Sequence, residues 1–214
     1  MSIREQSDKT MNKLFLTLTI TTGTALTLTL TGIAPSQFAS VAPLSNKPAI
    51  AQTTIDLNTF RNTSLSKHNG YRATHRSPNL TSSSSANNTA QSWAQYLATN
   101  GLFQHSTASQ RNNGGENLYV FYTTGSIDAT NLASKAVTSW YNEVSKYDYN
   151  NPGFSSATGH FTQVVWKSTT QLGCGAARGT KTMNGTKFNA FYVVCHYLPA
   201  GNVTGQFPAN VLKP

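Results

Sequence analysis

The chain has 214 residues, of which 38% are hydrophobic and 11% charged, with ten Phe and nine Tyr. That length suits one domain with an extension, and the apolar content suffices for a packed core. The low charge and high aromatic content exclude an intrinsically disordered chain, and charge is too sparse for the flanking positions of a coiled coil. Sixteen Lys and Arg against seven Asp and Glu leave a net charge of +9, but the positive residues are dispersed with no basic run, and nothing points to nucleic acid.

Lys9 and Lys13 precede Leu14 to Ala34, a charge-free stretch rich in Leu and Thr, and Ala49-Ile50-Ala51 supplies a small-x-small cleavage site. Residues 1–51 therefore read as a secretory signal, with Met11 as an alternative start, and residues 52–214 as a mature chain that is secreted or periplasmic and does not span a membrane. An uncleaved membrane anchor is the alternative, weakened by the threonines and by Gly23. Without this segment twelve basic and five acidic residues remain, a charge of +7. That charge suits adhesion to an anionic envelope and also serves simple solubility.

Leu57, Phe60, Leu65, His68 and Tyr71 recur at helical spacing within 56–72, with His68 on the apolar face as a core residue. Ser77 to Asn88 is a Ser/Asn-rich connector, after which Ala90, Trp93, Ala94 and Leu97 make a second helix stopped near Gly101. A third runs from about Asp128 to Val144, and Asn150 to Thr158 is a loop. Residues 159–166 are ambiguous between a short helix and a strand. Asn184-Gly185 is a two-residue hairpin signal, followed by the aromatic and β-branched run Lys187 to Leu198. Helices followed by a hairpin predict an α+β domain.

In an exported chain the pair Cys174 and Cys195 is most simply a disulfide. In a hairpin centred on Asn184-Gly185 paired residues have numbers summing to 369, as these two do. Alternation makes them a non-hydrogen-bonded pair, close enough for a bridge. Two buried free thiols are the alternative.

The chain lacks a nucleotide-binding loop, a dinucleotide turn, a Gly-x-Ser-x-Gly elbow, a His-Glu-x-x-His pair and a Cys-x-x-Cys. What remains is His105, His160, Glu116 in Gly114-Gly115-Glu116-Asn117-Leu118, and Glu143 after Trp140-Tyr141. Glutamates beside apolar neighbours favour pairing with His or a cation. Two His and two Glu could form an open zinc site or an acid/base cluster, against the alternative of four unrelated residues.

The string Gly159-His160-Phe161-Thr162-Gln163-Val164-Val165-Trp166 with Leu172-Gly173-Cys174-Gly175 resembles the first signature of the CAP superfamily of cysteine-rich secretory, antigen 5 and pathogenesis-related 1 proteins. Tyr192-Val193-Val194-Cys195-His196-Tyr197 with Pro199 and Gly201-Asn202-Val203 resembles the second. His68-Asn69, Trp93-Ala94, His105-Ser106, Glu116-Asn117 and Trp140 to Val144 follow the remaining landmarks in order, over about residues 56–213. The resemblance implies a three-layer α-β-α sandwich with a central antiparallel sheet, and a helix at 159. It also implies a central cleft holding His105, Glu116, Glu143 and His160, in which His105 and His160 bind zinc or another divalent cation in several members. The chain departs from the family in having at most one disulfide and Leu80-Thr81-Ser82 where a Trp is usual.

Three functions fit. The first is a non-enzymatic binding module for a small lipid, sterol-like or envelope ligand in a groove between helices, as in fungal and plant relatives. The second is a metal-dependent hydrolase with Glu116 or Glu143 as general base. The third is an interaction protein acting through its cationic surface.

Overall fold

Asp56 stops the chain from fraying at the first helix: its carboxylate accepts from the backbone N–H groups of Asn58 and Thr59 and caps α1, Leu57–Thr74, in a computed structural model that describes residues 54–214. The expected signal at 1–51 lies outside the described residues. Ser83 caps α2, Ser84–Asn100, which ends on Gly101 in the left-handed conformation. Asp128 caps α3, Ala129–Tyr141, which passes into a 3-10 segment, Asn142–Lys146. The short α4, Gly159–Val165, and α5, Phe207–Asn210, complete the helices.

Four strands, β1 Thr81–Ser82, β2 Gly115–Thr123, β3 Gln171–Met183 and β4 Thr186–Leu198, form one sheet in the order β1-β3-β4-β2. The three long strands are antiparallel, and only the two-residue β1 runs parallel to β3. Asn184 and Gly185 both have positive φ, as a type I′ turn requires, so β3 and β4 pair from Met183–Thr186 outward without a bulge. Cys174 therefore meets Cys195, and the two are bridged with a Cα–Cα distance of 4.2 Å. That the pair is a non-hydrogen-bonded one is visible at β3's outer edge. The Cys174 N–H donates to Asn87 Oδ1 and its carbonyl accepts from Arg61 Nε.

Alternation along β4 divides the core. Phe191, Val193, Cys195 and Tyr197 face α1, α3 and α4, while Ala190, Tyr192 and Val194 face α2. The result is the expected α-β-α sandwich. The helix that the resemblance implies at 159 is present as Gly159–Val165, which settles the ambiguous segment. Two expectations need adjusting. The connector from Ser77 gives way to β1 and to α2 as early as Ser84, since α2 draws its stability from packing rather than from its Ser and Asn residues. The third helix is α-helical only to Tyr141.

Candidate functional site

Glu116, the second residue of β2, lies directly opposite His196 of β4, and His105 lies in the loop that follows α2. The Glu116 side chain is 1% exposed and accepts four hydrogen bonds. Oε1 takes His105 Nδ1 at 2.6 Å and the Ser106 N–H at 3.0 Å; Oε2 takes Ser106 Oγ at 2.7 Å and His196 Nε2 at 3.0 Å. Burial pushes the carboxyl up, and the bonds from His105, His196 and Ser106 more than reverse this, holding it down to about 2. On its far side His196 Nδ1 lies 2.9 Å from Thr89 Oγ1 on α2.

Glu143 sits in the 3-10 segment and points at the start of α4. Its Oε2 accepts from the N–H groups of His160 and Phe161 at 3.0 and 3.1 Å, satisfying two amides that a helix start leaves unpaired. Oε1 accepts from His160 Nδ1 at 2.7 Å. Arg72 of α1, fully buried, holds the other end of α4 through the carbonyls of Val164 and Trp166. So the helix that carries His160 is held at its start by the partly exposed Glu143 and at its end by the buried Arg72, each of the sign its dipole favours.

Asn117 closes the floor: its amide donates to the His160 carbonyl at 3.1 Å and to Tyr197 Oη at 3.0 Å, and that hydroxyl reaches His68 Nε2 at 2.8 Å. A cavity of about 190 Å³ is lined by His105, Glu116, Asn117, His160 and Asn202, with the exposed Phe154 beside it. Glu143 stands behind His160 rather than in the lining. Sequence reasoning did not single out Ser106, His196, Asn117 or Asn202. His196 enters the sequence reading only as part of a family signature, and no local signal gives its role, because its partnership with Glu116 depends on the β2–β4 register, between strands far apart in the chain.

In both pairs the carboxylate fixes the proton on Nδ1, leaving Nε2 of His105 and His160 as the nitrogen with a free lone pair. Among the described residues no group of three or more His, Cys, Asp and Glu is gathered so as to hold a metal ion.

Residues 65–197 match the family model of the cysteine-rich secretory protein family, and the chain belongs to that family, the CAP superfamily. It is 41% identical over 155 residues to Protein PRY2 of Saccharomyces cerevisiae, covering 72% of this chain and 41% of that protein. It is 40% identical over 157 residues to Golgi-associated plant pathogenesis-related protein 1 of Homo sapiens, covering 72% of this chain and 94% of that protein. The chain thus spans about two fifths of the yeast relative and nearly all of the human one. Among solved structures it is similar to NaASP2 with Zn2+, at 25% identity and a TM-score of 0.55, over 73% of this chain and 87% of that one. No helix among the described residues is long and apolar enough to cross a membrane.

Proposed function

We propose that the protein is an exported, non-enzymatic binding module that holds a small lipid, sterol-like or envelope ligand between α1 and α3. The observation that carries this is an open groove of about 800 Å³ lined by Ser66, Lys67, Gly70, Tyr71, Thr130 and Ser134, among others. Its size lies within the range of ligand pockets, whereas the 190 Å³ cleft is below it. Gly70 stands inside an 18-residue helix, where glycine costs about 1 kcal/mol relative to Ala. A Cβ there would meet nothing within 4 Å, so no neighbour demands the glycine, and what its missing side chain leaves is room. Tyr71, stacked on Tyr141 at 3.8 Å, offers a flat apolar wall, and Lys67 a cation for a headgroup. Export is supported by the apolar stretch and cleavage site within 1–51 and by the disulfide, a bond that persists in oxidising compartments.

Hydrolysis is less well supported. A carboxylate oxygen has two lone pairs, and all four of Glu116 are engaged, so it has none to take a proton from water. Glu143 has one left, behind His160.

The lipid reading is tested by solvent extraction and mass spectrometry of the purified protein, and by uptake of a fluorescent sterol and a fluorescent fatty acid. Gly70→Leu should abolish uptake. Gly70→Ala should narrow the groove yet raise stability by about 0.5–1 kcal/mol. Uptake that is unchanged in Gly70→Leu overturns the assignment to this groove.

A second reading, a divalent cation such as zinc at His105 and His160, is favoured by their carboxylate-oriented imidazoles. Imidazole nitrogen suits zinc, and with these two protein donors water would have to fill the rest of its shell. Calorimetric titration of zinc should show binding that disappears in the His105→Ala/His160→Ala variant. Equal heats in both proteins would rule it out.

A further inference from the structure

On the opposite side of the sheet from the α1–α3 groove, the outer face of α2 carries a second concavity, of about 310 Å³, lined by Asn88, Thr89, Ser92, Trp93, Tyr96 and Gln110. Five of these recur along one stripe of the helix, and Gln110 comes from the loop packed beside it. The Trp93 and Tyr96 rings are stacked, with centroids 4.8 Å apart and planes 16° from parallel, and Tyr96 is 44% exposed. Trp93 is pinned by its Nε1, which donates to the Gln104 carbonyl at 3.1 Å. The platform is therefore rigid.

Its rim is polar and carries no charge, in a chain of net charge +9. The Asn88 amide, the Ser92 hydroxyl and the Tyr96 hydroxyl make no side-chain hydrogen bond with another described residue. Gln110 has its Oε1 held by the Thr107 N–H and hydroxyl at 2.8 and 2.9 Å, which presets the amide and leaves its two N–H donors without a partner among the described residues.

We infer that this face of α2 binds an uncharged saccharide, as a short stretch of a neutral glycan. A pyranose ring presents a face of C–H groups, which packs on the negative face of an aromatic ring, and an edge of hydroxyls, each of which both donates and accepts. The exposed Tyr96 ring, backed by the buried Trp93 ring stacked on it and bordered by amides and hydroxyls, complements both. The lining has no cation to hold a phosphate, sulfate or carboxylate. An aliphatic chain would strand the polar ends of Asn88, Ser92, Tyr96 and the Gln110 amide N–H groups, each at a cost. This site is separate from the α1–α3 groove and does not rest on the lipid reading.

The test is titration of the full protein with laminarihexaose, cellohexaose and chitohexaose, followed by tryptophan fluorescence and saturation-transfer NMR, with a heparin hexasaccharide and lysophosphatidylcholine alongside. Trp140 and Trp166 belong to the core on the other face of the sheet, so a fluorescence change on binding here reports on Trp93, which is 8% exposed and stacked on Tyr96. At least one neutral hexasaccharide should bind, with little dependence on salt. Tyr96→Ala, at an exposed helix position, should weaken it about tenfold or more with circular dichroism unchanged. Ser92→Arg, which places a bulky side chain in the concavity, should do the same, and Gly70→Leu should leave it unaltered. Failure of all three neutral glycans to bind overturns the proposal, as does affinity unchanged in both Tyr96→Ala and Ser92→Arg. Tighter binding of the heparin fragment or of the lysophospholipid at this face overturns it too.

Discussion

His68 and Arg72, one turn apart on α1, are both fully buried and reach satisfaction by opposite routes. Arg72 stays charged, though burial lowers it to about 10, because its guanidinium donates to four carbonyls, those of Pro78, Val164, Trp166 and Thr169. His68 is neutral. Its Nδ1–H donates to the Ser64 carbonyl at 2.7 Å and Nε2 accepts from the Tyr197 hydroxyl. Burial, assisted by the nearby Arg72 charge and opposed by the Ser64 carbonyl, lowers its pKa from 6.5 to about 4. Between those values the unfolded chain binds a proton that the folded chain refuses, so stability falls as pH drops from about 6.5 to about 4, by up to about 3 kcal/mol. His75, also lowered by burial, adds in the same direction. Glu116, held down to about 2, adds a further loss at lower pH, between 4.5 and 2. Urea midpoints measured across the upper window should fall in the wild type. In His68→Gln the protein should be weaker at neutral pH and the fall shallower. A wild-type midpoint that is flat across that window would count against a buried neutral His68.

At the scale of elements, α2 lies on β3 because β3 offers it a glycine stripe. Cβ atoms at Gly173, Gly175 and Gly179 would overlap the backbone of Ala86, Gln91 and Ala98. With the helix that close, its side chains finish the strand's free edge: Gln91 donates to the Ala176 carbonyl and accepts from its N–H, both at 3.0 Å, as Asn87 accepts from Cys174. These amides occupy groups that an edge strand would otherwise present to another chain. Gly175→Ala should therefore cost about 2 kcal/mol or more, since backbone rather than a movable side chain stands in the way. Thermal denaturation checks this against Gly70→Ala, the same substitution on an open helix face, for which the sign is opposite.

At the scale of the molecule, one covalent tie joins the hairpin across 21 residues of chain. In the loop-entropy picture such a bridge contributes about 3 kcal/mol. Two hydrophobic clusters, one on each face of the sheet, hold the fold besides it. Cys174→Ala/Cys195→Ala should then remain folded by circular dichroism, with its unfolding free energy from denaturant titration lowered by that amount. Complete unfolding at room temperature would show that the bridge, rather than the two cores, sustains the sandwich.

Much of this was legible in the chain alone, where the signals are local or arithmetical. Asp56 and Asp128 mark helix starts, Asn184-Gly185 centres a hairpin, and the 369 sum places Cys174 against Cys195 before any coordinate is known. The spacing of His105, Glu116, Glu143 and His160 identified nothing by itself; their place as a group came from the resemblance. Only the tertiary structure decided that Glu116 is saturated by His105, Ser106 and His196, and that Glu143 caps α4. The grooves on α1 and on α2 likewise exist only in three dimensions. The physical reason is range. Caps and hairpin turns are set by neighbours along the chain, whereas a carboxylate's partners and a groove's width depend on strand register and helix packing between segments far apart in sequence.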